Sequence, residues 1–576
     1  MTVRGRRIFN RRPVCFFALF LAAGILAAEA FYPLPHLYRH VPLLITAAVC
    51  VFFACFGRWR GFLYLAVAFL VGFLACSGAA DVYDSRLTDD VSGTFTAKVS
   101  SEIIVEDGMA EFYVEDLAAD GKVLKGECRV YADITAPDFG AGDVIALTGR
   151  LTAERHEAFD SYFASNALNG TYFTLRADGA ELLADGEPDF ILSVQLAVSR
   201  LFYEHMDKDA SVIARALVIG DQRGIDDLLY GDIQASGLAH VLSVSGLHIT
   251  ALASAVYWLF RKLGVNPKIA LIVVLGLGLF YVALCGFVPP AVRALVMTGV
   301  FNFGSAFGLK RDGLSALAFA AAAIMTFSPF SLMHVGFLLS VFSLFGIMAF
   351  ADPIKKFLMK GVDKVAPPRL AAVSVNALHG TAAIQSGEIP GEEALAALAA
   401  AADEGDGSDG ARRGTAPRKK KVRKARESVL RRALGYAAES SAVAVAANLT
   451  SMPIAAYFFG RIQTLFVISN IVILPYTVFI YLFLIVITPF ALITGLHGLV
   501  GAADWLIMPF TAFVRAIGGI SFASVPVSVS VTGVVCVLFA EILLSRFLFL
   551  RRMERAVGVM TSAAVFLAVA SAALLA

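Results

Sequence analysis

Long apolar runs dominate the chain. They cover residues 14–30, 41–57 and 61–80 near the amino terminus, recur from about 246 to 350, and return from about 440 to 575. Many reach or approach the roughly 20 residues that an α-helix needs to cross a hydrocarbon core, and on that criterion about eleven to thirteen spans are expected. Between residues 81 and 190 the pattern breaks. Charges become frequent, acidic residues predominate, and turn formers such as Asp107-Gly108, Asp120-Gly121 and Gly142-Asp143 punctuate the run. Short strand-like segments lie between the turns, at 94–100, 111–117, 123–132, 144–151 and 171–177. Five short strands in so small a region match an OB-type barrel, although periodicity alone does not separate it from other five-stranded arrangements.

The expected fold is a polytopic α-helical membrane protein with an inserted small all-β, OB-like extracytoplasmic domain. Its segments are 1–80, amino-terminal transmembrane helices; 81–190, the OB-like domain; 191–352, the first part of a transmembrane core; 353–437, a basic loop; and 438–576, the second part of the core. Residues 191–233 are amphipathic, with Arg200, Glu204, Arg215 and Asp221 among Leu, Val and Phe, as in a segment lying along an interface.

Composition agrees: 58% apolar residues against 16% charged, with a mean hydropathy of +0.73, lies far outside soluble usage. Net charge is only +2, so distribution carries the information. The basic start, Arg4 to Arg12, stays cytoplasmic under the positive-inside rule, which puts Arg58 and Arg60 inside and the segment after Ala80 outside. Ala28-Glu29-Ala30 resembles a signal-peptidase site, but the apolar run continues through Phe31, Tyr32 and Leu34, so a signal anchor fits better. Residues 355–435 hold a linker from Asp403 to Gly410 and a cationic run from Pro417 to Arg426, which mark a cytoplasmic and largely disordered loop. That run suits emerging nucleic acid or a docked ATPase; a lipid-surface contact or a topology signal is the plainer reading. Trp505 is expected at an interface, and Arg551-Arg552 at a cytoplasmic turn before a last span at 556–575.

Seven cysteines, at 15, 50, 55, 76, 128, 285 and 536, form no CxxC pair, and no Gly-x-x-x-x-Gly-Lys-Ser/Thr loop occurs. No metal, cofactor or ATPase activity is expected. In the acidic domain, Phe112, Tyr113, Tyr131, Tyr172 and Phe173 could offer stacking faces to single-stranded bases. Filling of the barrel core is the weightier reading of the same aromatics, and the acidic balance opposes tight backbone binding by this domain alone.

Specific motifs begin at Ala216. Gly220-Asp221 is followed by Ser236-Gly237-Leu238 with His240, then by Val244-Ser245-Gly246-Leu247-His248 opening an apolar helix. Gly286-Phe287-Val288-Pro289-Pro290 leads to Arg293-Ala294; Ser328-Pro329 precedes Val335-Gly336-Phe337-Leu338-Leu339-Ser340; and Pro453, Phe459-Gly460-Arg461 and Ser469-Asn470 through Pro475 follow. In order and spacing these resemble the signature of the ComEC family of competence proteins, over about residues 216–476. The chain departs from that pattern where Arg223 stands one place late, where Pro290 replaces a serine and where Leu338 replaces a glutamine. Gly142-Asp143 and Phe159-Asp160-Ser161-Tyr162 agree with the family's amino-terminal part.

The resemblance implies a channel in the bacterial inner membrane for uptake of single-stranded transforming DNA. It implies an outer DNA receptor and a cytoplasmic helicase-like ATPase as partners; membrane lipid is a further partner by composition, and whether a second copy of the chain joins as a homodimer is left open. Many relatives carry a metallo-beta-lactamase-type domain with a His-x-His-x-Asp-His pattern. The nine histidines here make no such cluster, so a separate nuclease is a further candidate partner and no enzymatic activity is expected of this polypeptide. Candidate DNA-path residues are Asp221, Arg223, Ser243, Ser245, Gly246, His248, Arg293 and Asn470. Small residues such as Ser243, Ser245 and Gly246 suit a narrow polar constriction. Arg293 is the sole formal charge between Lys268 and Lys310, which reads either as a phosphate contact or as a snorkelling arginine one turn into a helix. Asp221 suits a pair with Arg223 or Arg215 or a helix cap, His248 a bundle histidine, and Gly336 with Ser340 close helix packing.

Two rivals remain open. A small-solute transporter would share the many helices, but no paired internal repeat is visible. An intramembrane serine hydrolase would use Ser245 and His248, one turn apart on one helix, which rarely gives attack geometry.

Overall fold

The computed structural model describes residues 12–33, 41–42, 45–46, 60–106, 108–119, 122–242, 246–307, 312–365 and 429–544. The chain divides into two compact units, Met1–Leu358 with Ala437–Ala576, and Met359–Tyr436.

Two helices, α1 (Pro13–Phe31) and α2 (Arg60–Asp84), open the larger unit. They cross with backbones in contact. A Cβ on Gly24 would run into the carbonyl of Phe69, and one on Gly72 into that of Leu21, so only glycine permits this approach.

The β domain follows, with strands β1 (Val91–Val99), β2 (Ile104–Glu106), β3 (Met109–Ala119), β4 (Lys122–Val123), β5 (Glu127–Ala132), β6 (Val144–Ala153) and β7 (Thr171–Ala184). Pairings β1–β3, β3–β5, β5–β7, β7–β6 and β6–β1 close a ring in which β5 and β7 are parallel and the other pairs antiparallel. The strands alternate: in β6 every second residue from Ile145 is buried, and Phe95, Phe112, Val114, Leu147 and Phe173 fill the interior. Three features differ from the expected all-β, five-stranded domain. The sheet is mixed and has seven strands. The segment expected as one strand at 123–132 is broken at Gly126, whose φ of +123° carries the chain from β4 into β5. A helix, α3 (Ser161–Asn169), stands between β6 and β7. Asp160 starts that helix by accepting from the backbone N–H groups of Tyr162 and Phe163, both at 3.0 Å, and Gly170 ends it in the left-handed conformation.

Beyond the β domain come α4 (Phe190–His205), α5 (Lys208–Val218), α6 (Asp227–Ala235), the short α7 (Ala239–Leu242), α8 (Gly246–Lys262), α9 (Pro267–Leu284), α10 (Pro289–Ala306) and α11 (Gly313–Phe327). A 3-10 turn at Pro329–Leu332 leads to α12 (Val335–Val365). The chain resumes with α13 (Val429–Phe459), β8 (Arg461–Gln463), α14 (Phe466–Thr494), α15 (Gly498–Gly501), α16 (Asp504–Gly518), β9 (Ser524–Pro526) and α17 (Val531–Leu544). Helices α8, α9 and α10 pack mutually, and α14 lies against α8 and α5. Within the larger unit α12 and α13 also meet closely, where a Cβ on Gly346 would strike the Ala446 carbonyl and Thr450 donates to Phe342 O at 2.6 Å. In the smaller unit, Arg431 pairs with Asp363 at 2.9 Å.

Among the described residues, 7 helices are long and apolar enough to cross a membrane. The larger expected count included runs at 41–57 and 556–575, which lie almost wholly outside the described residues, as does the cationic run 417–426. Two further helices, α11 and α17, are apolar but shorter than a span requires. Trp505 is 80% exposed on α16.

Candidate nucleic-acid interface

The signature region starts from α5, in which every residue from Ala210 to Val218 is buried, Arg215 included. Burying a guanidinium demands countercharge. It comes from two directions: Arg215 Nη2 lies 2.6 Å from Asp221 Oδ2 and 2.9 Å from Glu102 Oε2, the latter on the β domain just before β2. Arg223 Nε reaches Asp221 Oδ1 at 2.9 Å, its Nη1 donates to Glu102 O at 3.1 Å, and its guanidinium lies 5.9 Å from the Tyr113 ring centre. Ser199 of α4 donates to both Glu102 oxygens, at 2.8 and 2.9 Å. Burial pushes the Asp221 carboxyl up, but the hydrogen bond and charge of Arg223, then the charge of Arg215, outweigh it and hold the group below the usual carboxylate range. Burial likewise lowers the Arg223 guanidinium, and Asp221 more than reverses this. Asp221 and Arg223 thus form a clamp between the helices and the β domain.

Ser243 and Ser245 lie outside the described residues. Gly246 opens α8, where a Cβ would sit 3.8 Å from that of Ala294 on α10. His248 is buried, its ring stacked on Tyr481 of α14 at 4.6 Å between centres. Tyr281, packed edge-on to Tyr481, donates to Leu217 O at 3.2 Å. The motif histidine therefore belongs to a packed aromatic cluster at the α8–α14 contact. Asn470 spends its amide on its own helix, donating to Phe466 O at 2.8 Å.

Arg293 is different. One turn into α10, after Pro289 and Pro290, it is 4% exposed, and among the described residues its Nε and Nη1 have no hydrogen-bond partner. It makes no ion pair among the described residues. Beside it stands His334, in the link between the 3-10 turn and α12, whose buried Nδ1 also has no partner. Burial first and the Arg293 charge second push the His334 imidazole down to about 4, so the ring is neutral at ordinary pH. Gly336 faces both: a Cβ there would lie 2.8 Å from His334 Cε1 and 3.4 Å from Arg293 Nη2. Gly336 thus makes room for two polar side chains. His334 was missed in the sequence, and its only signal there is a histidine immediately before Val335-Gly336.

The β domain sits against this end of the helices. Phe330 of the 3-10 turn packs on Phe163 of α3 at 5.2 Å and on His156 at 5.3 Å, and the Val335 N–H donates to Ser161 Oγ at 3.3 Å. Nε2 of His156 stands 3.3 Å from Oε2 of Glu29 on α1, both side chains being 1% exposed. Tyr83 of α2 stacks on Tyr172 at 4.6 Å and donates to Glu154 O at 2.9 Å.

Of the domain's five candidate stacking residues, Phe112 and Phe173 are fully buried and Tyr172 nearly so, within the core. Tyr113 and Tyr131 are half-buried on the outer face of the ring, where Arg129 lies 5.0 Å from the Tyr131 ring centre and pairs with Glu111 at 2.7 Å. A recess lined by Ile249, Leu252, Leu277 and Leu295 separates α8, α9 and α10, but its apolar walls do not suit a polyanion.

A family profile described as Competence protein matches residues 217–387 and 413–553. The chain is similar to ComE operon protein 3 of Bacillus subtilis (strain 168), 29% identical over 150 residues, which is 26% of this chain and 19% of that protein. It is also similar to Competence protein ComA of Neisseria gonorrhoeae, 34% identical over 152 residues, 24% of this chain and 21% of that protein. The matched stretches thus cover about a fifth of each of these relatives. No solved structure matches the chain. The profile takes in more than half of the sequence, including the segments that hold Asp221, Gly246, His248, Arg293, His334 and Asn470, and the chain belongs to the ComEC-type family of competence proteins.

Proposed function

We propose that this protein is the channel through which a single strand of transforming DNA crosses the bacterial inner membrane. A role in competence follows from the family; the observation that favours passage of the polymer itself is Arg293, a cation buried at the β-domain end of the helices without a carboxylate. A strand carries one phosphate charge per nucleotide, and each charge costs roughly several kcal/mol in hydrocarbon, so the polymer needs sparse donors along its way. Tight cationic walls would hold it; isolated donors let successive phosphates move on, as weak repeated sites do for ions.

In this reading the β ring is an OB-type barrel on the outer face, supported by its strand order and its one parallel pair. It receives single-stranded DNA over Tyr113 and Tyr131, while the amino terminus and the basic loop face the cytoplasm. The chain acts as a conduit rather than as an enzyme. An outer receptor delivers DNA, a separate nuclease removes the other strand, and a cytoplasmic helicase-like ATPase supplies the pull. Deletion of the gene tests the reading: labelled duplex should still gather at the envelope while transformants vanish. Unchanged transformation and an unchanged internal DNA signal would refute it.

A further inference from the structure

We infer that His334 and Gly336 complete, with Arg293, a subsite that grips one phosphodiester: the guanidinium takes one non-bridging oxygen and the imidazole donates to the other. The inference rests on the preceding reading and deepens it by naming the group bound and two residues that shape its seat.

Three observations converge. Arg293 is buried to the same degree as Arg215, 4% exposed in each case; Arg215 leaves only its Nε unpartnered and meets two carboxylates, whereas among the described residues Arg293 meets none and leaves both Nε and Nη1 unpartnered. Orphaned donors of this kind are costly in a static core and call for a bound acceptor. The second is His334, whose Nδ1 is likewise buried and unpartnered, on a different element that faces the same guanidinium. Its ring is neutral, so it can stand beside the cation and still donate one N–H. The third is the space. A Cβ on Gly336 would meet His334 Nδ1 at 3.1 Å and Cε1 at 2.8 Å, with Arg293 Nη2 at 3.4 Å, so any side chain there would force the imidazole out of place. Unpartnered donors of two types, kept open by a glycine, match the geminal oxygens of a phosphodiester, and a guanidinium fork is the side chain best shaped for them.

The shared chemistry has two sources, a nucleic-acid backbone and a phospholipid headgroup, and the test separates them. Full-length protein in detergent is titrated with fluorescent oligothymidylate and with a methylphosphonate oligomer of the same length, and copurified phosphatidylglycerol is measured by native mass spectrometry. Gel-filtration profile and thermal unfolding serve as controls for folding. His334→Leu should weaken oligothymidylate binding about tenfold, the effect of one lost charge-assisted hydrogen bond, whereas His334→Gln, which retains an N–H, should stay within about threefold of the parent. Gly336→Ala should act like the leucine variant. The uncharged oligomer should bind weakly and equally to all of them.

Equal affinity of parent and His334→Leu for oligothymidylate overturns the subsite. Loss of phosphatidylglycerol with oligothymidylate binding untouched overturns it for nucleic acid and gives the site to lipid. If Arg293→Gln impairs both binding and transformation while the His334 and Gly336 variants behave as the parent, only the subsite fails; if all of them, Arg293→Gln included, transform normally, the conduit role of Arg293 fails with it.

Discussion

Two arginines in this protein are buried equally and live in opposite company. Arg215 lies among carboxylates from two parts of the chain, Asp221 six residues on and Glu102 on the β domain, and its charge is answered. Arg293 meets a neutral imidazole and a glycine. Burial alone therefore does not tell a structural cation from a functional one; the accounting of its partners does. The first guanidinium ties two parts of the fold together, and the second meets no carboxylate among the described residues.

The comparison is broken most forcefully in the cell. If the strand passes Arg293 as proposed, Arg293→Ala, at unchanged membrane levels, should cut transformation by about 100-fold, since it removes the charged hydrogen bonds offered there; counting transformants against a membrane immunoblot decides the matter. Arg215→Met should act instead on stability, lowering it by about 3 kcal/mol because the Glu102 carboxylate loses its ion-pair partner and Asp221 keeps only Arg223. Denaturant unfolding of the purified protein measures this. Arg293→Met should move stability in the reverse direction, by about 1 kcal/mol upward, because a buried charge without a carboxylate is replaced by an apolar chain. A fall in stability there would mean that Arg293 has a structural partner after all.

The smallest effect concerns acid. The folded state holds the Asp221 carboxyl below its ordinary value of 3.8, so the stabilisation it provides is fully present above that pH and disappears as pH falls below it through the folded-state value. Asp221→Asn should flatten that acid limb of the stability curve, and an unchanged limb would show that another carboxylate governs it.

Much of this was readable in one dimension. The return of long apolar runs from about residue 246, the break into a turn-rich domain after Ala80 and the family signature all rest on local pattern, which the chain carries openly. Alternation along β3 puts Phe112 and Tyr113 on opposite faces, but which of them points inward depends on the register with β5, a non-local fact. The clamp was half visible: Asp221, Arg223 and Arg215 are neighbours in sequence, whereas Glu102 is more than a hundred residues away in another part of the fold. His334 gave no sign because its meaning comes from Arg293, which chain folding brings to it. The helix α3 was hidden in a short polar stretch whose cap, Asp160, is informative only once the helix is seen.

The β domain is fastened to α1 and α2 through Glu29 with His156 and Tyr83 with Tyr172, to the 3-10 turn before α12 through Phe330 with Phe163, and to α4 and α5 through Glu102, Ser199 and Arg215. A tug on the domain is therefore shared among several helices and cannot swing it freely about one hinge. The rigging has a mechanical corollary: were a polymer drawn past the ring, the load would spread over all these moorings together, so cutting any single one should leave the domain held by the rest.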